Sequence, residues 1–420
     1  MNVNNWGLRT IVAIVIVAGL LALFLFKEDH EVSTPMGEVI GPDEDKAMAG
    51  AIGSALAIIN NTRAAAIAKQ DADGAGAGPA YRRDVHAKSH GCLKANFIVP
   101  HLDRKYRWGV FREPRTFAAW IRFSSGDSAI QADGHWDARG FAIKLMGVEG
   151  DKLLDGLKDQ PTQDFIMMNN PNYFIRRLED YVNLTRYLAN DDKLGYFVNG
   201  FSPNVFSWHW RELRLVAGTK KRAPDTLLNT RFWSASAYKL GPDHNIKFSA
   251  TPVACVADAR MMNSWTTPRA DDNFLRKRMT EQLAKGPACY AFMVQVQQPH
   301  KNMPVEDATV EWSEQDAAFV PLARIEIPAQ SFDDPAQNQF CEGLSFNPWH
   351  ALPEHRPLGV FNRVRKALYE EVARYRRAEN LKLKSGDQTA PILRTVDLVE
   401  PLSWCTDGRA TGDCAPALKK

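Results

Sequence analysis

The chain has 420 residues, 52 basic and 49 acidic, for a formal charge of +3, and 24% of its residues are charged. This is a globular composition with room for a sizeable core, and the near-balance without a Lys/Arg run excludes a nucleic-acid footprint. Six cysteines occur with no CxxC pair, which excludes the usual zinc-ligand spacing.

Residues 10–26 (TIVAIVIVAGLLALFLF) are uncharged, with Arg9 ahead and Lys27-Glu28-Asp29-His30-Glu31 behind. The run exceeds the ~7–15 apolar residues of a signal-peptide core and meets the short end of the ~17–25 that span a bilayer. Residues 1–31 therefore read as a single-pass signal anchor with the N-terminus inside, which leaves the body on the non-cytoplasmic, periplasmic side. A cleaved signal peptide is the alternative. Residues 32–80 follow as a membrane-proximal unit: an Ala- and Ile-rich helix over 38–70, then a Gly-rich linker over 71–79 (DADGAGAGP).

From Tyr81 the pattern changes to short strands. Alternating apolar segments predict strands over 92–99, 118–125, 138–145 and 165–168. Two of them carry arginines among apolar residues, Arg122 and Arg139. Asn169-Asn170-Pro171 ends the fourth as a turn, and residues 173–188 read as a helix. The aromatic-rich stretch 191–242 reads as loops and short helices, lining an access route or packing into the core. Further strands are expected over 245–253, 289–297, 308–312 and 323–327. Many short strands with interspersed and following helices indicate an α+β fold rather than βαβ units.

Residues 359–377 (GVFNRVRKALYEEVARYRR) carry Phe361, Val364, Leu368 and Val372 at helical spacing. At ~100° per residue, Arg365, Tyr369 and Arg376 share one face, while Arg374 points away. A guanidinium beside a phenol favours the phenolate, a hard anionic donor able to hold ferric iron. Cys92, Cys255, Cys289 and Cys341 lie in apolar surroundings and read as small buried hydrophobes. Cys405 and Cys414 bracket a polar loop, where an oxidising compartment allows a local disulfide. Residues 386–420 form a C-terminal tail.

Arg83-x-x-His86-Ala87-Lys88, Ile121-Arg122-Phe123-Ser124, Arg139-Gly140-Phe141-Ala142-Ile143-Lys144, the 164–171 segment (DFIMMNNP) and Arg365-x-x-x-Tyr369 occur in that order. Together with 344–350 (LSFNPWH), they resemble the motifs of the haem catalases and catalase-like haem proteins over most of 83–377, which sets a haem domain at 81–385. The resemblance implies an antiparallel β-barrel enclosing haem b, with surrounding and C-terminal helices, in a form lacking the long C-terminal domain. It implies Tyr369 as the iron ligand supported by Arg365, His86 as acid–base group oriented by Ser124, and Asn169 as the distal amide. Met168 is the other register for that amide. Arg83, Arg122 and Arg376 match the arginines that hold the haem propionates. After Tyr369 the family's proline and Thr-His segment is replaced by Glu370-Glu371-Val372-Ala373.

The function so implied is a haem-dependent oxidoreductase acting on hydrogen peroxide or organic peroxides. Transformation of lipid hydroperoxides and haem binding without turnover are the alternatives. Association into homo-oligomers is also what the resemblance implies.

Overall fold

The computed structural model describes residues 37–41, 44–72, 81–256 and 261–385. The apolar run 10–26, most of the linker, the Cys405–Cys414 pairing and the tail lie outside the described residues. Among the described residues no helix is long and apolar enough to cross a membrane.

Nine strands form one antiparallel sheet: β1 (Ser89–Val99), β2 (Arg115–Ser125), β3 (Arg139–Met146), β4 (Thr162–Met168), β5 (Phe232–Trp233), β6 (Tyr238–Leu240), β7 (His244–Val253), β8 (Ala288–Val296) and β9 (Val320–Ile327). Their order is β5-β4-β3-β2-β1-β9-β8-β7-β6, and a β5–β7 pairing closes the first eight into a barrel with β6 attached to β7. The closure rests on a strand of two residues, Phe232 facing Ala250 and Trp233 facing Ser249.

The period of two along each strand decides what lies inside. Leu93, Phe97, Ile121, Phe123, Ile143 and Phe165 belong to one buried cluster with Phe248 and Phe292. Ring centroids there stand 4.9 Å apart for Phe165–Phe292 and 5.2 Å for Phe97–Phe292. The barrel interior is therefore solid aromatic core. An expectation of a barrel enclosing its ligand is corrected here, because side chains fill a barrel of this size. The alternate residues, including Trp120, Arg122, Ser124, Ala142 and Ile166, face outward, and the helices cover that outer wall.

Helix α1 (Glu44–Ala72) packs on α2 (Leu178–Ala189) and on the last helix, α6 (Val360–Ser385), through Ala51, Ala55, Ile59, Leu178, Val364 and Leu368. Arg363 ties the start of α1 to α6, pairing with Glu44, with Glu38 (3.1 Å) and with Glu306 (2.9 Å). Between them come α3 (Trp210–Thr219), α4 (Phe274–Lys285) and α5 (Pro335–Gly343). Asp334 caps α5 by accepting from Gln337 N at 2.9 Å.

Three sequence expectations are corrected. Residues 308–312 begin as a turn, with Asp307 accepting from Thr309 N, and Trp312 packs in a satellite apolar cluster with Met303 and Leu358. Helix α2 starts at Leu178 because the preceding segment is fastened as a turn. There Asn172 Nδ2 donates to Thr309 O at 2.7 Å, and Tyr173 N to Ala308 O at 2.8 Å. The four cysteines read as buried hydrophobes are paired as Cys92–Cys341, joining β1 to α5, and Cys255–Cys289.

Candidate functional site

Between the outer face of β2–β4 and helix α6 lies a pocket of about 700 Å³ of empty space, counting the part open to solvent. One wall carries His86, Ser124, Gly140, Ala142 and Ile166; the other carries Leu368, Tyr369 and Val372. Residues Ser345 and Phe346, which follow α5, close one side, and Arg83, Arg122 and Arg376 gather at one end.

The segment before β1 sets His86 in a left-handed backbone (φ 60°), which is uncommon outside glycine. Its N–H donates to Gly126 O (3.2 Å), and its carbonyl accepts from Arg122 Nη2 (2.9 Å). Ring atom Nδ1 lies 3.0 Å from Ser124 Oγ. A Cβ at position 140 would stand 2.7 Å from both Nδ1 and that Oγ, so only glycine leaves room for the pair. Burial, reinforced by the charges of Arg122, Arg365 and Arg83, pushes the imidazole pKa down to about 3. At neutral pH the ring is uncharged.

On the opposite wall, Arg365 Nη2 donates to Tyr369 Oη at 3.2 Å, with its guanidinium carbon 5.1 Å from the ring centroid. The one-turn spacing on α6 produces this contact, as the helical face predicts.

At the cationic end, Arg83 donates to Glu342 Oε2 (3.1 Å) and to Leu344 O (2.8 Å), while Arg122 lies 3.9 Å from Glu342 Oε1. Arg376 donates to Glu342 O and, at 3.3 Å, to Leu344 O. Burial would raise the Glu342 carboxyl, but Arg83, Arg122 and Arg376 hold it down at about 2. Burial and neighbouring cations push Arg122 down to about 9 and Arg376 well below its ordinary value. The Nε atoms of Arg122 and Arg376 are buried without a hydrogen-bond partner. Glu342 and, more weakly, Asp84 are the carboxylates near these three guanidinium groups, so cations outnumber anions at this end.

Residues 342–346 are held from behind. Asp164 Oδ2 accepts from Asn347 N (2.9 Å), and Lys144 pairs with Asp164 Oδ1 at 2.5 Å. The Cys92–Cys341 disulfide lies immediately before Glu342.

His86, Ser124, Arg83, Arg122, Tyr369 and Arg376 thus meet at one pocket, with Arg365 directly behind Tyr369. Asn169 does not reach it. Strand β4 ends at Met168, and past it the Asn169 carboxamide turns to accept from Arg139 N at 2.7 Å. Neither Asn169 nor Met168 is on the pocket wall, where β4 contributes Ile166 and Met167. The nearby His90 is buried apart from the pocket, its Nε2 2.9 Å from Ser125 Oγ. No wall residue comes from 191–242, whose Tyr196 and Phe197 pack on Ile175 and Leu184. That stretch packs there through these two rings and leaves Leu194, Phe201, Val205 and Phe206 exposed. Among the described residues no group of His, Cys, Asp and Glu could hold a metal ion.

The sequence reading missed Gly140 as the steric partner of His86, Glu342 as counter-ion, and Asn362, which bonds Arg365. Only Asn362 left a readable trace, its place three residues before Arg365 on the same helix face.

No protein-family model and no curated protein matches this chain. Among solved structures it is similar to a fungal catalase (17% identity, TM-score 0.56), covering 75% of this chain and 62% of that one. It is also similar to catalase A from Saccharomyces cerevisiae (18%, TM-score 0.55, covering 76% and 65%). A bacterial catalase gives 16% identity and a TM-score of 0.51, covering 78% and 62%. The chain has the catalase-like fold and spans less than two thirds of the length of these structures.

Proposed function

We propose that the chain is a catalase-fold oxidoreductase that binds haem b and acts on hydrogen peroxide or organic peroxides. The observation that carries this reading is the one pocket that the His86–Ser124 pair faces from one wall and Tyr369, backed by Arg365, faces from the other. The residues fit an iron porphyrin on three counts. The buried, unpartnered Nε atoms of Arg122 and Arg376, beside Arg83, ask for carboxylates. Apolar side chains line the walls, and a phenol oxygen stands ready as a hard ligand for iron. When bound, the iron would supply the redox chemistry of O–O cleavage.

The chain's own residues would do the rest. Tyr369 would hold the iron through its oxygen, to which Arg365 donates a hydrogen bond. The arginine end binds the propionates. His86, neutral at working pH, accepts a proton from the peroxide oxygen nearest the ring and returns it to the departing oxygen. Ser124 keeps the imidazole in the orientation this transfer needs.

Organic rather than hydrogen peroxide is the second reading. It is favoured by a pocket wall on which β3 and β4 place Phe141, Ala142, Ile166 and Met167 and no carboxamide. Anchoring at the membrane with the body in the periplasm remains part of the proposal. It is supported by the apolar run 10–26 and by two disulfides, which persist in oxidising compartments.

The test is the optical spectrum of the purified protein, with hydrogen peroxide and cumene hydroperoxide added in turn. A ferric haem spectrum is expected, with consumption of one or both peroxides. Tyr369→Phe is expected to lose that spectrum. His86→Ala is expected to keep the haem and lose turnover by about 10²–10⁴-fold. Haem retained unchanged in Tyr369→Phe would overturn the assignment.

A further inference from the structure

Asn362 is wholly buried on α6, one turn ahead of Arg365. Its Oδ1 accepts from Arg365 Nη1 and from Ser236 Oγ, each at 3.1 Å. Its Nδ2 donates to Ala237 O at 2.9 Å and Leu358 O at 3.0 Å. The guanidinium, which can only donate, and the two carbonyls, which can only accept, fix the amide's orientation, because a flip would set an NH₂ against Arg365 and an oxygen against both carbonyls. The backbone is held as well: Trp349 Nε1 donates to Asn362 O at 2.6 Å.

Arg365 is itself 7% exposed, and among the described residues no carboxylate lies within ion-pair reach of it. Its polar neighbours are Asn362 and the phenols Tyr369, Tyr238 and Tyr173. A buried guanidinium is normally matched by a carboxylate. Here the side chain that reaches it from the previous turn supplies a hydrogen-bond acceptor and no charge.

We propose that Asn362 is a positioning residue, whose neutral amide aims Arg365 at Tyr369 and leaves the full charge of that guanidinium to the phenol oxygen. The inference rests on the reading of Tyr369 as the ligand of a bound haem iron. A carboxylate at 362 would draw the guanidinium toward itself and weaken its hydrogen bond to Tyr369 Oη. The phenol oxygen would then be a stronger donor, the ferric state would be favoured, and the reduction potential would fall.

The experiment uses the full chain loaded with haem, as wild type, Asn362→Asp and Asn362→Ser. It reads the ferric/ferrous midpoint by spectroelectrochemistry, the ferric optical spectrum and the Tm. Asn362→Asp is expected to bind haem, shift the ferric bands and lower the midpoint. Asn362→Ser, neutral but too short to hold Arg365 in place, is expected to move the midpoint the same way and less far. The serine variant decides the matter should the aspartate variant not fold. Variants that bind haem and melt earlier, yet keep the wild-type midpoint and spectrum, would reduce Asn362 to packing and overturn the inference. A wild-type chain that takes up no haem would overturn the haem reading together with it, so the two failures are distinguishable.

Discussion

His86 depends on an atom that is missing. Its ring and the Ser124 hydroxyl occupy the space where any residue but glycine at 140 would carry a Cβ, 2.7 Å from each. Gly140 pairs with Met168 across β3–β4, so the strand cannot easily retreat. Gly140→Ala is expected to displace the imidazole and cost about 1–3 kcal/mol of stability, in the range of an overpacked core. Peroxide turnover is expected to fall with haem content kept, which kinetics alongside a haem assay would check. A substitution that left turnover intact would show that the ring need not sit against Ser124. The sequence made His86, Ser124, Arg365 and Tyr369 legible because each belongs to a motif of fixed spacing. Asn169 misled, since an Asn–Asn pair past a strand end serves a turn as readily as a site. The pairing register that turns it toward Arg139 is a property of the sheet, not of the local residues.

Among the elements, the strands with a clear period of two were legible, as was α6 with its apolar stripe. Strands β5 and β6, two and three residues long, are too short to show a period. Yet β5 is the strand that closes the barrel. The 92–341 disulfide was equally hidden, because its cysteines lie 249 residues apart and nothing local pairs them. It fixes the end of α5 to β1, and Glu342 and Leu344, which anchor Arg83 and Arg376, follow within three residues. Cys341→Ser is therefore expected to lower stability to denaturant by about 2–4 kcal/mol. It is also expected to speed loss of haem to a scavenging globin. A variant that is less stable but retains haem at the wild-type rate would show that the arginines hold their places without the crosslink.

Over the whole molecule, buried neutral imidazoles tie stability to pH. Burial pushes His86 and His355 down to about 3, and it also lowers His90 and His350. Each has an ordinary value near 6.5, so between that pH and about 3 the unfolded chain binds protons that the folded chain refuses. Their contribution is complete above pH ~6.5 and is lost as the pH falls toward 3, by on the order of several kcal/mol in sum. The Glu342 carboxylate, held at about 2, acts in the same direction over a lower range. Asp84, whose carboxyl burial raises to about 6, opposes them, as do Asp133, Asp137, Asp180 and Glu212, which burial also raises. Denaturant titrations at pH 7 and pH 4.5 are expected to show a clear loss at the lower pH. Equal stability at both would mean that the imidazoles gain solvent without unfolding.

The filled barrel has a consequence for assembly. With its interior filled by phenylalanine rings, the barrel needs no ligand to complete its core, and the pocket lies where α6 and the 342–346 segment rest on its outer wall. A haem bound there would lie in a joint between the two layers and work like mortar. Whatever fills the joint is bound by both sides at once and holds the helical layer to the barrel, with a strength that grows with ligand concentration.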